Sequence, residues 1–522
     1  MTHATPPAAL PHADPALAPK PLSDDGCYLA LKARDARFDG RFFTGVTSTG
    51  IYCRPVCAVR TPRQENCRFF ALAAQAELAG FRPCLRCRPE LAPQQLPWTV
   101  QDASNTLVLQ AVRLLDSPEA WVQPEASATP VAWLAARLGV SDRHLRRIFE
   151  ARLGVAPLQY LQTRRLLMSK QLLTDTRLPM EQVAWAAGFG SVRRFQAAFA
   201  AHYGMPPSQL RRAGGDDEAH GGSRVRLGWR PPLDAPALMA FFARRQVEGV
   251  EWIDPAAPLV LRRTVQLPAP TPSGMAVAGW MEVELQPERC QALLRVCDSL
   301  MPLLPQVIHR VRSLLDLDAD PAAINAVLHD SFPAGDGLRV PGTWDGFELA
   351  VRAVLGQQVT VAAARTLTGR LVATLGEPIS SPWPALHHLF PTPQAIAATD
   401  GETLGRLGIV RQRQAALLAL ARGVLDGTLQ MKAHADPDAT MAALRMLPGI
   451  GDWTAQYIAM RALRWPDAFV AGDVALHKAL GVQGQPQPAR AATEASQAWR
   501  PWRSYAVIRA WSQGDPATPK VP

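Results

Sequence analysis

The chain has 522 residues, 48% of them hydrophobic, with 55 Lys and Arg against 45 Asp and Glu for a formal charge of +10. That length exceeds a single core and implies several domains, and no apolar run is long enough to span a bilayer as a helix. The charge is uneven: residues 27–97 carry 11 basic against 5 acidic residues and 126–213 carry 13 against 4, which points to a polyanionic partner at the N-terminal end or to solvated basic surface.

Residues 1–24, rich in Ala and Pro, lack a basic start and an unbroken apolar run, so a disordered tail is expected rather than a signal peptide. Residues 25–97 form a cysteine-bearing unit, with short strands at 42–46 and 49–52 and a helix over 71–79. Within it, Cys53-Arg-Pro-Val-Cys57 and Cys84-Leu-Arg-Cys87 have the spacing of a tetrahedral zinc site. Two disulfides or scattered core cysteines are the alternative, and paired thiols without a secretion signal fit a reducing cytosol better. Cys27, Cys67, Cys290 and Cys297 are expected to be ordinary buried thiols.

From 104 to 213 the pattern is helical and contains two similar passages, at 131–149 and 180–199. Each has an amphipathic helix, a turn Gly (Gly139, Gly188), a capping Ser (Ser141, Ser191) and an Arg-rich second helix. A pair of plain helical hairpins has the same periodicity. As two helix-turn-helix units, however, they would turn Arg143, Arg146, Arg147, Arg193 and Arg194 toward a major groove, with Leu145, Phe149, Phe195 and Phe199 inward. The Gly-rich acidic stretch 214–223 reads as a flexible linker dividing the chain into two functional halves. Residues 224–335 alternate at 259–267 and 276–285, as in an antiparallel sheet, with a helix at 235–245. Residues 336–515 are again helical and contain Leu447-Pro-Gly-Ile-Gly451, a turn whose Gly449 and Gly451 let backbone amides approach a phosphate.

Thr49-Gly-Ile-Tyr-Cys53-Arg-Pro-Val-Cys57 with Phe81-Arg-Pro-Cys84-Leu-Arg-Cys87 resembles the zinc domain of the Ada adaptive-response family, and the paired helix-turn-helix resembles the AraC-type DNA-binding domain that follows it there. The second half resembles AlkA-type 3-methyladenine DNA glycosylases of the helix-hairpin-helix superfamily. The implied architecture is multidomain and mainly α with α+β parts: a small zinc-binding α/β domain, an AraC-type double helix-turn-helix, an antiparallel-sheet α+β domain and an all-α helix-hairpin-helix domain.

The resemblance implies one Zn(2+), structural and catalytic, on Cys53, Cys57, Cys84 and Cys87, with Cys53 taking a methyl group from a DNA phosphotriester. It implies Asp473 as the glycosylase carboxylate and Phe241, Trp453, Tyr457 and Trp511 as the base pocket. Arg54, Arg60 and Arg86 are candidate phosphate contacts beside the zinc. Two positions depart from the family pattern: Gln358 stands where an apolar wedge fills the gap left by a flipped base, and Ala475 replaces a larger pocket residue. Asp452-Trp453 stands where strand-cutting relatives carry a Schiff-base Lys, so base excision without strand cleavage is expected. The only Pro-Cys is Pro83-Cys84, so repair of O6-alkylguanine is not. Expected partners are alkylated DNA, promoter or operator DNA and RNA polymerase, in a bacterial cytoplasm at the nucleoid. The competing expectation is a transcription regulator with an inactive glycosylase half.

Overall fold

The computed structural model describes residues 22–93, 103–118, 121, 129–211, 223–268, 275–432 and 435–513. The stretch expected to be a linker lies almost wholly outside them, as does nearly all of the expected N-terminal tail.

The cysteine unit opens with α1 (Asp24–Ala33), capped by Ser23 and acidic in its first turn, which suits the helix dipole. Its sheet has the order β3-β1-β2-β4, from β1 (Phe43–Val46), β2 (Ile51–Cys53), β3 (Cys67–Phe70) and β4 (Arg82–Pro83), and α2 (Ala73–Leu78) precedes β4. β2 and β4 are parallel, pairing Tyr52 with Pro83, so the chain leaves the two strands side by side at Cys53 and Cys84. That crossover brings the two cysteine pairs together.

Next come α3 (Ala103–Asp116), α4 (Pro130–Arg137), α5 (Asp142–Leu153), α6 (Pro157–Asp175), α7 (Met180–Ala186), α8 (Val192–Tyr203) and α9 (Pro207–Leu210). Helices α4–α5 and α7–α8 are the two expected pairs, with Gly139 and Gly188 at positive φ and Ser141 and Ser191 capping α5 and α8 through the N–H groups of His144 and Arg194. The long helix α6 between them is central. It buries apolar Leu166, Leu172 and Leu173 but also Thr163, Lys170 and Gln171, because neighbours pack on several of its sides.

Those neighbours include both other parts of the chain. The Lys170 amine donates to the Cys84 carbonyl (3.0 Å) and to Glu90 (2.6 Å) in the cysteine unit. Gln171 donates to the carbonyl of Arg226 in β5 (Ser223–Gly228) of the second half. A continuous apolar core runs from Phe195 and Phe199 of α8 through Val225 and Leu227 to Leu300 and Leu304. The two functional halves are therefore packed against each other, contrary to what a flexible divider implies: Gln171 and the shared apolar core join them, while Lys170 ties α6 to the cysteine unit within the first half. Replacing Lys170 with Met should lower stability by about 3 kcal/mol, since the Cys84 carbonyl and part of the Glu90 carboxylate would stay buried without their cation. A melting curve in which the first transition is unmoved would show that Arg88, 3.0 Å from Glu90, suffices.

The second half begins with a five-stranded antiparallel sheet, order β5-β9-β8-β7-β6, from β5, β6 (Glu251–Ile253), β7 (Val260–Leu267), β8 (Val277–Gln286) and β9 (Gln291–Val296). Helix α10 (Ala235–Arg245) occupies the span expected for it and packs on β6. The rest is helical: α11 (Leu304–Leu314), α12 (Pro321–Leu328), α13 (Gly346–Leu355), α14 (Val361–Leu375), α15 (Pro393–Ala397), α16 (Gly401–Arg406), α17 (Arg411–Leu425), α18 (Pro437–Arg445), α19 (Asp452–Arg461), α20 (Val474–Ala479), α21 (Pro488–Ala495) and α22 (Arg503–Gln513). Helix α13 packs on both α17 and α19 in the centre of this bundle. Among the described residues, no helix is long and apolar enough to cross a membrane. Of the cysteines outside the quartet only Cys27 is buried; Cys67, Cys290 and Cys297 are partly exposed.

Candidate functional site

Two sites stand out. In the first, the sulfurs of Cys53, Cys57, Cys84 and Cys87 all lie within 4.8 Å of one another, and three of the four residues are buried. Four zinc–sulfur bonds of about 2.3 Å in a tetrahedron put the sulfurs about 3.8 Å apart, so the quartet fits Zn(2+) in both distance and ligand softness. The Arg54 amide donates to the Cys87 sulfur (3.3 Å) and the Arg86 amide to the Cys84 sulfur (3.4 Å), which orients the ligands from outside. The sulfurs also compete for protons. Hydrogen bonds from Cys53, then Cys57 and Cys87, hold Cys84 far below the ordinary thiol range, while its bond with Cys57 pushes Cys53 up. A divalent cation at the centre would let all four be thiolates.

Arg60 and Arg86 are exposed beside this centre. Arg54 is not. It is 9% exposed, and its guanidinium is taken up by the Asp39 carboxylate and the Cys87 carbonyl (3.0 Å). The expectation of a phosphate contact at Arg54 is corrected accordingly: the residue next to Cys53 braces the zinc turn from within. Arg143, Arg146 and Arg147 on α5 and Arg193 and Arg194 on α8 are all exposed, with Leu145, Phe149, Phe195 and Phe199 buried behind them. Arg146 also pairs with Asp142 one turn earlier.

The second site is a cleft of about 1850 Å³ between α10, α13, α14, α19, α20 and α22. Asp473 caps α20, its Oδ1 accepting from the Leu476 amide at 2.7 Å. The same carboxylate accepts from two indoles, Trp453 Nε1 and Trp511 Nε1, each at 2.9 Å. The cap and the aromatic wall are thus one hydrogen-bonded unit. Trp453 and Tyr457 are stacked, with centroids 5.1 Å apart and planes 10° from parallel, and Tyr457 lies 6.4 Å from Trp511. Phe241 lines the same cleft but is 8% exposed, with the guanidiniums of Arg245 (3.8 Å) and Arg461 (4.9 Å) over its ring. Most of the aromatic surface open to a base therefore comes from Trp453, Tyr457 and Trp511.

These arginines were not singled out in the sequence. Arg461 follows Tyr457, and Arg245 follows Phe241, by one helical turn, and that spacing was the available signal. Arg461 donates to the Tyr457 hydroxyl. Burial works against ionisation of that phenol, yet Arg461, Arg245 and Arg352 outweigh it and hold the group below its ordinary range.

On the rim, Gln357 donates to the Gly449 carbonyl (2.9 Å) and to Thr454 (3.1 Å), tying α13 to the turn before α19. Of the pair Gln357-Gln358, only Gln358 is free of that task; it is exposed and in the left-handed region at φ 55°. Gly449 has φ 75°, and Gly451 precedes α19 with no side-chain cap, so amides there are open to an anion. Ala475 also lines the cleft.

Comparison with known proteins divides the chain in a consistent way. Family models match as the metal binding domain of Ada (residues 26–90), a helix-turn-helix domain (134–213), the AlkA N-terminal domain (224–345) and an HhH-GPD superfamily base excision DNA repair protein (351–503). A probable bifunctional transcriptional activator/DNA repair enzyme AlkA from Mycobacterium tuberculosis is 38% identical over 497 residues, covering 93% of this chain and 95% of the relative. DNA-3-methyladenine glycosylase 2 of Escherichia coli is 35% identical over 55% of this chain and 95% of its own length. The bifunctional transcriptional activator/DNA repair enzyme Ada of Escherichia coli is 34% identical over 37% of this chain and 50% of its own.

Proposed function

The chain belongs to the family of bifunctional Ada/AlkA transcriptional activators and DNA repair enzymes, and from that membership we propose which residues carry each activity. It is an alkylation-response protein that takes up methyl groups from DNA, acts as a transcriptional activator and excises alkylated bases such as 3-methyladenine. One Zn(2+) belongs to the cysteine quartet.

The zinc supplies positive charge that keeps thiols ionised at neutral pH. Cys53 is the nucleophile. Its sulfur bonds to the methyl carbon of a DNA methylphosphotriester as the carbon–oxygen bond breaks, and the electron pair leaves on the phosphate oxygen as a diester. No base is needed, and the thioether is not regenerated, so each protein acts once. Arg60 and Arg86, exposed beside the quartet, hold the flanking phosphates. Four thiolates with zinc carry a formal −2 and the methylated set −1, so uptake relieves repulsion of DNA and strengthens operator binding by the two helix-turn-helix units through Arg143, Arg146, Arg147, Arg193 and Arg194. The activator then engages RNA polymerase, and the setting is a bacterial cytoplasm at the nucleoid.

In the cleft, Asp473 stabilises the oxocarbenium-like sugar that forms as the base leaves, and water completes the hydrolysis. Trp453, Tyr457 and Trp511 stack the extruded base, with Phe241 as a side wall. Gln358 enters the gap in the duplex, while Gly449 and Gly451 hold the backbone through their amides. Damage excision is monofunctional, because Asp452-Trp453 offers no amine. The observation that carries this reading is the carboxylate of Asp473 held by two aromatic N–H groups of the base-stacking wall.

Incubating the full chain with methylated DNA, then mapping the modified cysteine by mass spectrometry and the released bases by chromatography, tests both halves at once. A methyl group on Cys53 together with free 3-methyladenine is expected. Methylation at another cysteine, or an intact abasic-free duplex, would refute the corresponding half.

A further inference from the structure

A buried side chain of the second half reaches toward the zinc centre. Arg230, just after β5, is 0% exposed. Its Nε donates to the Asp39 carbonyl (2.8 Å) and its Nη2 to the Pro93 carbonyl (3.0 Å), both in the cysteine unit. Its Nη1 donates to the carbonyls of Asp318 (2.9 Å) and Ala319 (3.2 Å), between α11 and α12 of its own half. The loop it enters is closed tightly: a Cβ at Gly40 would come within 2.1 Å of the Pro93 carbonyl oxygen and 3.1 Å of Arg230 Nη2. Burial pushes the Arg230 guanidinium down to about 10, a desolvation cost that the carbonyls offset.

Asp39, 3% exposed, is where this contact meets the zinc centre. While its carbonyl accepts from Arg230, its carboxylate accepts from Arg54 Nε at 2.8 Å and from Arg54 Nη2. Arg54 in turn donates through Nη1 to the Cys87 carbonyl, and through its amide to the Cys87 sulfur. An unbroken buried path therefore runs from Arg230 through Asp39 and Arg54 to a ligand of the zinc and to the residue after Cys53.

We propose that Arg230 is a positioning residue for the methyl-acceptor centre, acting across the domain boundary through Asp39 and Arg54. The glycosylase half then does more than share a chain with the methyl-accepting domain: it fixes the geometry of the ligand turn on which Cys53 depends. The proposal rests on the reading of the quartet as the zinc site and of Cys53 as acceptor. Without the Arg230 fork, the Asp39 and Pro93 carbonyls are left buried and unpaired. The loop then shifts to reach water, and Arg54 moves with it.

The test uses the full-length zinc-loaded protein and three variants, with zinc release to a chromophoric chelator, methyl uptake from phosphotriester DNA and release of 3-methyladenine as readouts. Arg230→Gln should release zinc about 10-fold faster and take up methyl several-fold more slowly, the range seen when the partners of metal ligands are removed. Arg230→Lys, which keeps one donor group, should fall between it and the wild type. Asp39→Asn keeps the carbonyl that Arg230 grips and loses the charge facing Arg54, so it should speed zinc release with the halves still docked. That variant covers the case in which Arg230→Gln fails to fold.

Arg41→Ala is the control, since Arg41 pairs with Asp320 (2.9 Å) across the same boundary without touching Asp39; zinc release at the wild-type rate is expected. Wild-type zinc release from both Arg230→Gln and Asp39→Asn, or equal acceleration by Arg41→Ala, would overturn the proposal. A wild-type chain that takes up no methyl while Arg230→Gln still loses zinc faster would refute the reading of Cys53 and leave the relay standing.

Discussion

Asp473→Asn should reduce release of 3-methyladenine from alkylated DNA by roughly a hundredfold to a thousandfold while leaving the fold intact. The substitution is nearly isosteric, and Asn caps helices as well as Asp does, so the Leu476 amide keeps its acceptor and α20 its start. What changes is charge and donor count. Trp453 and Trp511 both point an N–H at this group; one carboxamide oxygen cannot serve the backbone amide and both indoles, and its NH₂ opposes one of them. The developing sugar cation then faces a neutral dipole where it had an anion, and removing a single well-aimed electrostatic partner in an active site costs on the order of 10² to 10³ in rate. Chromatography of released bases together with a melting curve decides it. Base release at more than about a tenth of the wild-type rate would remove Asp473 from the chemistry, since a cap alone has no effect on kcat beyond stability.

The contrast between Asp473 and Arg54 indicates which information the sequence holds. The cysteine quartet is readable because thiols at that spacing have few other uses, and β2 and β4 then bring the pairs together by a parallel pairing that needs only two residues of each strand. Asp473 is a single carboxylate before a helix and looks like any other cap. Only the family resemblance marks it out in the sequence; its hydrogen bonds from Trp453 and Trp511, which arrive from α19 and α22, from positions far apart in the chain, are seen in the structure alone. Arg54 misleads in the opposite direction: an Arg in a cysteine turn expected to meet DNA reads as a phosphate contact until Asp39 is found beneath it.

The docking of the two halves was the least readable feature. It depends on polar residues that local pattern assigns to the surface. Gln171 and Arg230 are both buried, and each binds a backbone carbonyl of the other half. Hydrophobic periodicity locates helices and strands well, as for α10 and the two helix pairs, because it reports on the nearest core. It is blind to contacts in which a charged side chain satisfies someone else's backbone.

Cys53→Ser should abolish methyl uptake and, by the same charge argument, strengthen operator binding without any damage. A serine hydroxyl is not ionised at neutral pH and is a poor ligand for zinc, so the methyl carbon meets no nucleophile there. Cys57, Cys84 and Cys87 remain clustered to hold the ion, and three thiolates with zinc carry −1, the formal charge of the methylated site. Removing one unit of negative charge about 10 Å from a phosphate, at an effective dielectric of about 20, is worth about 1.7 kcal/mol before salt screening, or on the order of tenfold in affinity. Mass spectrometry after exposure to phosphotriester DNA, and operator titrations at two salt concentrations, read the two effects separately. A mass gain of one methyl group on the Cys53→Ser protein would show that another thiol is the acceptor. Operator affinity equal to that of the unmodified wild type, with zinc retained, would refute the idea that charge relief switches this protein on, and would leave a change in shape at the ligand turn, which Lys170 and Arg54 both grip, as the signal.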